Sequence, residues 1–391
     1  MSLTRVVSFC LGDIPSAKVG IVELMKELQN QGLILSDFYL TGQLTKEIIA
    51  EADIIISIRS ADSYELEIVK ECKRLGKMLI YYTDDDLLNI PQYAESTEYF
   101  NSGLIKKNII SIMNECDYLL TNNILLKEKY EQYVQKGAFV INAPALLIDQ
   151  VIPGTCHQVD TKPIKIGFSG GTDHKKNLEQ LLSEPLKRIK DKYKDKVQLE
   201  IMGAKPDLGN LSYTHISYMS NYDRYIEKMR SIQWDIALAP LPSSDFHSCK
   251  YFNKYLEYGA ICAAGIYSDV QPYKQIVKSG INGILTENTT EGWETALISL
   301  IENTVLRNEI QRKARYELEQ EFNKSYIAND LRKKMEFITS YKAPSCNYRH
   351  VKISVGKQEL IRSKLGNVFS SMGMKAPYYI LKKVIIKIKK K

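Results

Sequence analysis

Three stretches of the 391-residue sequence combine side chains whose types and spacing could do chemistry. The first is IGFSGGTDHKKNLE, residues 166–179. An apolar run ends at Phe168, Ser169-Gly170-Gly171 makes a tight turn, and Lys175-Lys176 opens a helical pattern. Paired glycines let backbone approach a ligand closely, and a helix N-terminus with lysines favours a diphosphate. His174, inside the turn, could donate to a sugar or phosphate oxygen. The glycine spacing matches neither the dinucleotide fingerprint nor the Walker A loop, both of which need further glycines at fixed offsets.

The second stretch covers residues 234–273, where an apolar run leads through Pro240-Leu241-Pro242 and a polar loop to a helical pattern at 249–258. Lys250, Lys254 and Glu257 are spaced four and three apart, which puts them on one face of such a helix. Two ammonium groups suit phosphates and a carboxylate suits ribose hydroxyls; on a helix taken alone the same spacing is a solvated charge stripe. His247 lies in the loop before it, without a second ligand at metal spacing.

The third stretch, KMLIYYTDDDLLNIP at 77–91, places Asp84, Asp85 and Asp86 at the carboxyl end of an apolar run. Such carboxylates could orient or deprotonate an acceptor hydroxyl. Asp84 and Asp86 could instead hold a divalent cation against a diphosphate, or the run could cap a helix N-terminus. The cations of the other two stretches already suit phosphates, which favours the acceptor reading. Arg59 and the loop at 12–15 fall at equivalent edges.

These groups need elements to hold them. Short β-branched runs at 5–10, 53–58, 77–82, 117–121 and 138–141 alternate with helical patterns at 17–29, 63–75 and 102–114. A second series of strands is predicted at 164–168, 197–202, 234–239, 260–267 and 283–286. Its helices are expected at 176–192, 222–231, 249–258, 270–279, 291–303 and 305–322. Residues 147–162, with a Pro-Gly pair and little periodicity, read as a linker. The expectation is an α/β protein of two Rossmann-like domains, 1–150 and 163–335, facing across a cleft at the carboxyl ends of their strands.

Composition limits the class. Hydrophobic residues make up 44% and charged residues 25%, as in ordinary globular proteins. Seven cysteines, at 10, 72, 116, 156, 249, 262 and 346, form no Cys-x-x-Cys pair, so neither a disulfide framework nor a zinc site is expected, and a reducing, cytoplasmic setting is. The opening MSLTRVVSFCLGD reads as a first strand, not as a signal peptide, and no stretch is long and apolar enough to cross a bilayer.

The second half resembles the donor-binding region of bacterial glycosyltransferases of family 4 and their relatives with the GT-B fold. The residues that carry the likeness are Tyr255-Leu256-Glu257-Tyr258-Gly259-Ala260, Ser268-Asp269-Val270-Gln271-Pro272-Tyr273, Gly280-Ile281-Asn282-Gly283-Ile284-Leu285, Trp293 and Leu306-Arg307. The Asp-Asp-Asp-Leu run with its nearby proline is similar to that of a subset of the family. The resemblance implies transfer of a sugar from a nucleotide-diphosphate donor to a saccharide or lipid-linked saccharide in cell-surface polymer synthesis. It implies retention of anomeric configuration, without a bound metal or a cofactor beyond the donor. Glu257 resembles the ribose-binding glutamate, Gly170, Gly171 and Lys175 or Lys176 the phosphate turn, and Lys250 and Lys254 the basic residues before the glutamate. Two positions depart: Cys249 stands where many members have a second glutamate, and Cys262-Ala263-Ala264 replaces the usual Gly-x-Pro. These departures admit a non-catalytic partner of a transferase complex as an alternative, and the fold admits a sugar-nucleotide epimerase.

Net charge is +7, distributed unevenly. Residues 342–391 hold thirteen Lys or Arg and one acid, a net of +12, which leaves −5 for the rest. In PYYILKKVIIKIKKK, residues 377–391, Leu381, Val384, Ile385 and Ile388 would share a helical face opposite most lysines. The basic tail therefore reads as a peripheral anchor to an anionic membrane surface, on the inner face of the cell membrane. No recognised nucleic-acid module accompanies it.

Overall fold

The continuous apolar runs become strands buried on both faces, as parallel sheets covered by helices require. Ile54–Ile58 and Met78–Tyr82 are buried at every residue. The computed structural model describes residues 2–94, 97–149, 163–372 and residue 377.

Two six-stranded parallel sheets result. The first contains β1 (Thr4–Cys10), β2 (Ile34–Leu40), β3 (Ile54–Ile58), β4 (Met78–Tyr82), β5 (Tyr118–Thr121) and β6 (Gly137–Val140). Its order is β2-β1-β3-β4-β5-β6, the flavodoxin-like winding extended by one strand. The second contains β7 (Ile164–Gly170), β8 (Val197–Gly203), β9 (Thr214–Ser217), β10 (Ile236–Ala239), β11 (Ala264–Ser268) and β12 (Ile284–Thr286). Its order, β12-β11-β10-β7-β8-β9, is the Rossmann winding. The chain is thus α/β with two Rossmann-like domains, as expected. Each sheet has a switch point where successive connections leave in opposite directions: between β1 and β3 in the first, between β7 and β10 in the second.

The second core shows how the sheet is covered. Leu178, Leu182, Leu186 and Ile189 of the helix Lys175–Tyr193 pack with Trp293, Leu297 and Leu300 of the helix Thr290–Glu302.

The chain divides into two compact units at places the sequence does not announce. One comprises Met1–Ile141 with the described residues from Ala328 onward, the other Asn142–Ile327. Residues 142–149, expected in the first domain, belong with the second. Ala143 N–H donates to the Tyr251 hydroxyl, Ala145 N–H to the Phe322 carbonyl, and the Arg315 guanidinium to the Ile148 carbonyl. The remainder of the expected linker lies outside the described residues.

The segment from residue 342, read as a basic tail, is folded onto the first unit as far as Met372. Lys342 Nζ pairs with Asp53 at 2.9 Å, Gly356 N–H donates to the Tyr64 hydroxyl, and Val351 and Leu360 are buried. The amphipathic stretch at 377–391 lies outside the described residues apart from Pro377. Among the described residues no helix is long and apolar enough to cross a membrane.

Two helix expectations need correction. Residues 249–258 are not one helix: a short helix Asp245–Ser248 ends, and a new one runs Asn253–Ala260. Cys249, Tyr251, Phe252, Tyr255 and Leu256 are all buried, more than one face of a single helix can inter. The chain breaks at Phe252 (φ −81°, ψ 42°) to place them. Residues 270–279 form only a 3-10 turn, Tyr273–Gln275, directly after Pro272, whose ring and missing N–H oppose a helix running through it.

Candidate active site

At the switch point of the second sheet, the end of β7 meets helices that follow β9 and β10. Ser169 is fully buried and its hydroxyl is a hub. It donates to Glu257 Oε2 (3.3 Å) and accepts from Lys254 Nζ (3.3 Å) and from the Tyr225 hydroxyl (3.2 Å). Those three bonds use one donor and two lone pairs, the full capacity of a serine hydroxyl. Lys254 Nζ also lies 2.7 Å from Glu257 Oε2, and both side chains retain some exposure, 16% and 18%. Burial and then the Glu257 charge push the Tyr225 phenol well above its ordinary pKa, so it stays a hydrogen-bond donor.

The glycine turn sits beside this cluster. A Cβ on Gly170 would meet the Phe168 ring at 2.6 Å and the His174 ring at 2.9 Å. Gly203, at the end of β8, has φ +86°, and a Cβ there would lie 2.2 Å from the Gly170 carbonyl oxygen. The ends of these two neighbouring strands therefore pack too closely for side chains to stand there. The turn feeds through a 3-10 segment, Thr172–His174, into the helix Lys175–Tyr193, whose start no side chain caps. Its first amides are suited to an anion.

His174 lies against Phe168, with ring centroids 5.7 Å apart. Burial first, and then Lys254, Lys250 and His247, push its imidazole down to about 3. The ring is thus neutral near pH 7, a donor or acceptor but not a cation. Lys175 and Lys176 are exposed at the helix start, Lys175 within 3.7 Å of Glu179.

The predicted residues come together in part. Gly170, Gly171, His174, Lys254 and Glu257 share one edge of the second sheet. Lys250 does not share a helical face with Lys254 and Glu257, because it precedes the break at Phe252; its ammonium lies 4.8 Å from the Phe246 ring centroid. Sequence reasoning gave Ser169 only a turn role and missed Tyr225. Nothing in the sequence around Tyr225 singles it out; its helix begins at Tyr222 with Asn221 as the capping residue, a common pattern.

Both departures from the family pattern acquire geometry. Cys249 is buried. Cys262, at the place of the usual glycine, keeps a left-handed backbone (φ +55°), a conformation glycine adopts without strain.

The carboxyl edge of the first sheet has different chemistry. Arg59, at the end of β3, has φ +50° and reaches Asp84 (3.0 Å), Asp85 (3.1 Å) and the Ser16 hydroxyl (3.1 Å). Burial alone would lower the guanidinium pKa, but Asp84 and Asp85 outweigh it and hold the group above its ordinary value. Burial raises the Asp84 carboxyl, although Arg59 beside it pulls the other way.

Asp86 belongs to a separate arrangement. Its side chain has no exposed surface and accepts from Asn89 Nδ2, Lys129 Nζ (2.9 Å) and the Tyr130 hydroxyl (2.8 Å). The aspartate run is thus split. Asp84 and Asp85 keep limited exposure around one arginine, while Asp86 fastens the following loop. Asp84 and Asp86 are not arranged around a common cation.

No protein-family model and no curated protein matches the sequence. Solved structures do match in fold. The Anabaena protein HepE, in complex with UDP and glucose, aligns over 85% of this chain and 99% of its own, at 13% identity and a TM-score of 0.59. Sucrose-phosphate synthase from Thermosynechococcus elongatus aligns over 85% and 98%, at 10% identity and a TM-score of 0.61. A Listeria monocytogenes structure assigned as a UDP-N-acetylglucosamine 2-epimerase aligns over 85% and 96%, at 13% identity and a TM-score of 0.54. The two six-stranded sheets described above are the two domains of the GT-B fold, which the chain shares with these proteins.

Proposed function

We propose that this protein is a glycosyltransferase that moves a sugar from a nucleotide-diphosphate donor to a saccharide or lipid-linked saccharide. The observation that carries the reading is the Ser169–Lys254–Glu257 cluster at the switch point of a Rossmann-ordered sheet, beside a glycine turn and an uncapped helix start. In this reading Glu257 accepts from the ribose hydroxyls. Lys254, held by Glu257 and Ser169, is placed to turn toward the diphosphate when the donor arrives. Lys175, Lys176 and Lys250 add positive charge, and the amides of the Gly170–Gly171 turn and the helix start add fixed dipoles.

Charge grows on the diphosphate as the glycosidic bond breaks, so these groups lower the barrier most where they stabilise the departing phosphate. Neutral His174 donates to a sugar or phosphate oxygen. Asp84 and Asp85, in the first domain, orient the acceptor hydroxyl or take its proton; a raised carboxyl at Asp84 suits a base that must work near neutral pH. Transfer proceeds with retention and without a metal. The enzyme is cytoplasmic and held at the membrane through its basic C-terminal residues.

Two other readings have support. The Listeria neighbour, assigned as a UDP-N-acetylglucosamine 2-epimerase, shares this fold. Buried Cys249, in place of a glutamate, favours a non-catalytic partner. One screen separates them. Purified protein is mixed with UDP-, GDP- and dTDP-sugars, with and without membrane lipid extract and EDTA, and released nucleotide diphosphate is measured. Release from one donor, raised by extract and unaffected by EDTA, is the expected result. A new sugar nucleotide formed without acceptor indicates an epimerase, and tight nucleotide binding without turnover indicates the partner.

A further inference from the structure

The helix Lys357–Met372 is fastened to the first unit by one face. Asn367 Nδ2 and Ser363 Oγ each donate to Asp62 at 2.7 Å, and Leu360 is buried. Helical spacing puts Ile361, Leu365 and Phe369 on the opposite face, four residues apart. These three side chains are 50%, 43% and 50% exposed. Large apolar residues aligned on one open helical face mark a surface built to meet something.

The surrounding charge says what. Glu359 is the last acid in the sequence; residues 360–391 contain nine Lys or Arg and no Asp or Glu. Arg362 lies beside the stripe with its side chain 81% exposed, and Lys364 is exposed as well. We infer that Ile361, Leu365 and Phe369 form a membrane-docking stripe that enters the headgroup layer of an anionic bilayer. Arg362 and Lys364 meet the lipid charges beside it. A second copy of the chain is disfavoured as the occupant, because it would bring two sets of like charges together. The inference deepens the membrane reading above, sharing its basic tail. It stands, however, on a helix folded against the first domain, and so assigns that domain to the lipid surface, where a lipid-linked acceptor would lie.

The test uses full-length protein sedimented with vesicles of phosphatidylcholine alone or mixed with phosphatidylglycerol. The wild type is expected to bind the mixed vesicles only. Changing Ile361, Leu365 and Phe369 together to serine, with the tail intact, is expected to weaken that binding about tenfold or more. These side chains point away from the domain, so thermal stability should not fall. Phe369→Trp supplies a second readout. Trp234 and Trp293 are fully buried, so a blue shift on vesicle addition reports the new indole entering lipid. Unchanged binding of the triple variant together with no blue shift would overturn the inference. If glutamines at Lys387, Lys389, Lys390 and Lys391 abolish binding while the serine variant keeps it, the tail alone is the anchor. The stripe is then refuted and the membrane reading stands. If the serine variant instead turns a dimer into a monomer with vesicle binding intact, the stripe is a self-association surface.

Discussion

At the carboxyl edge of the first sheet, Arg59 stands between Asp84 and Asp85; at the same edge of the second sheet, Lys254 and Glu257 close on the Ser169 hydroxyl. Both places lie at the switch point of a parallel sheet, where side chains from separate strands and helices converge. The first is carboxylate-rich, with one cation holding two acids. The second combines a lysine–glutamate pair with glycine backbone and an open helix start. One winding principle thus produces an acid-rich edge suited to hydroxyl groups and a basic, amide-rich edge suited to a nucleotide diphosphate. The difference teaches that the winding decides where side chains converge, and the first residues after each strand decide their chemistry.

Changes at the two edges should therefore have different consequences. The largest effect is expected from Glu257→Ala, which removes the hydroxyl acceptor and leaves Lys254 without its partner carboxylate. Donor turnover should drop about 100-fold or more, measured as nucleotide diphosphate release, with an unchanged circular dichroism spectrum. At the other edge, Arg59→Met leaves two partly buried carboxylates facing each other. It should destabilise the first domain by about 3 kcal/mol in urea unfolding, and adding Asp84→Asn should restore part of that loss.

Gly203→Ala tests the backbone of the basic edge. Its positive φ and the Gly170 carbonyl leave no room for a methyl group, and a loss of about 2 kcal/mol is expected in the same unfolding experiment. The smallest effect concerns His174. Its pKa is lowered in the folded protein to about 3 from an ordinary 6.5, so as pH falls below 6.5 the unfolded chain takes up a proton that the folded chain refuses. Stability from this group is full above pH 6.5 and is lost progressively toward pH 3. His174→Asn should flatten that part of the stability–pH curve.

The central strands were legible because burial on both faces makes them continuous apolar runs, as in Ile54–Ile58. The two unexpected strands, β2 and β9, are both at sheet edges. In Thr214–Ser217 three of four residues are exposed, so no apolar run marks it. Glu257, Lys254 and the glycine turn lie together because their spacing survives into the fold. Lys250 was misplaced because its helix breaks to bury Tyr251 and Phe252, a demand of tertiary packing that periodicity does not carry. The aspartate run looks uniform in sequence, but Lys129 and Tyr130, more than forty residues away, claim Asp86 alone. Residues 342–372 were read by charge, which hid the few buried groups, Val351, Leu360 and Asn367, that hold them to the first domain.

The proposed division of nucleotide binding and acceptor handling between the two edges is tested most directly by calorimetric titration with the donor's nucleoside diphosphate. Wild-type protein and Asp84→Asn should bind with equal affinity, while Glu257→Ala should bind at least about tenfold more weakly. Equal binding by Glu257→Ala, or binding lost in Asp84→Asn, would contradict the assignment of the nucleotide to the second domain.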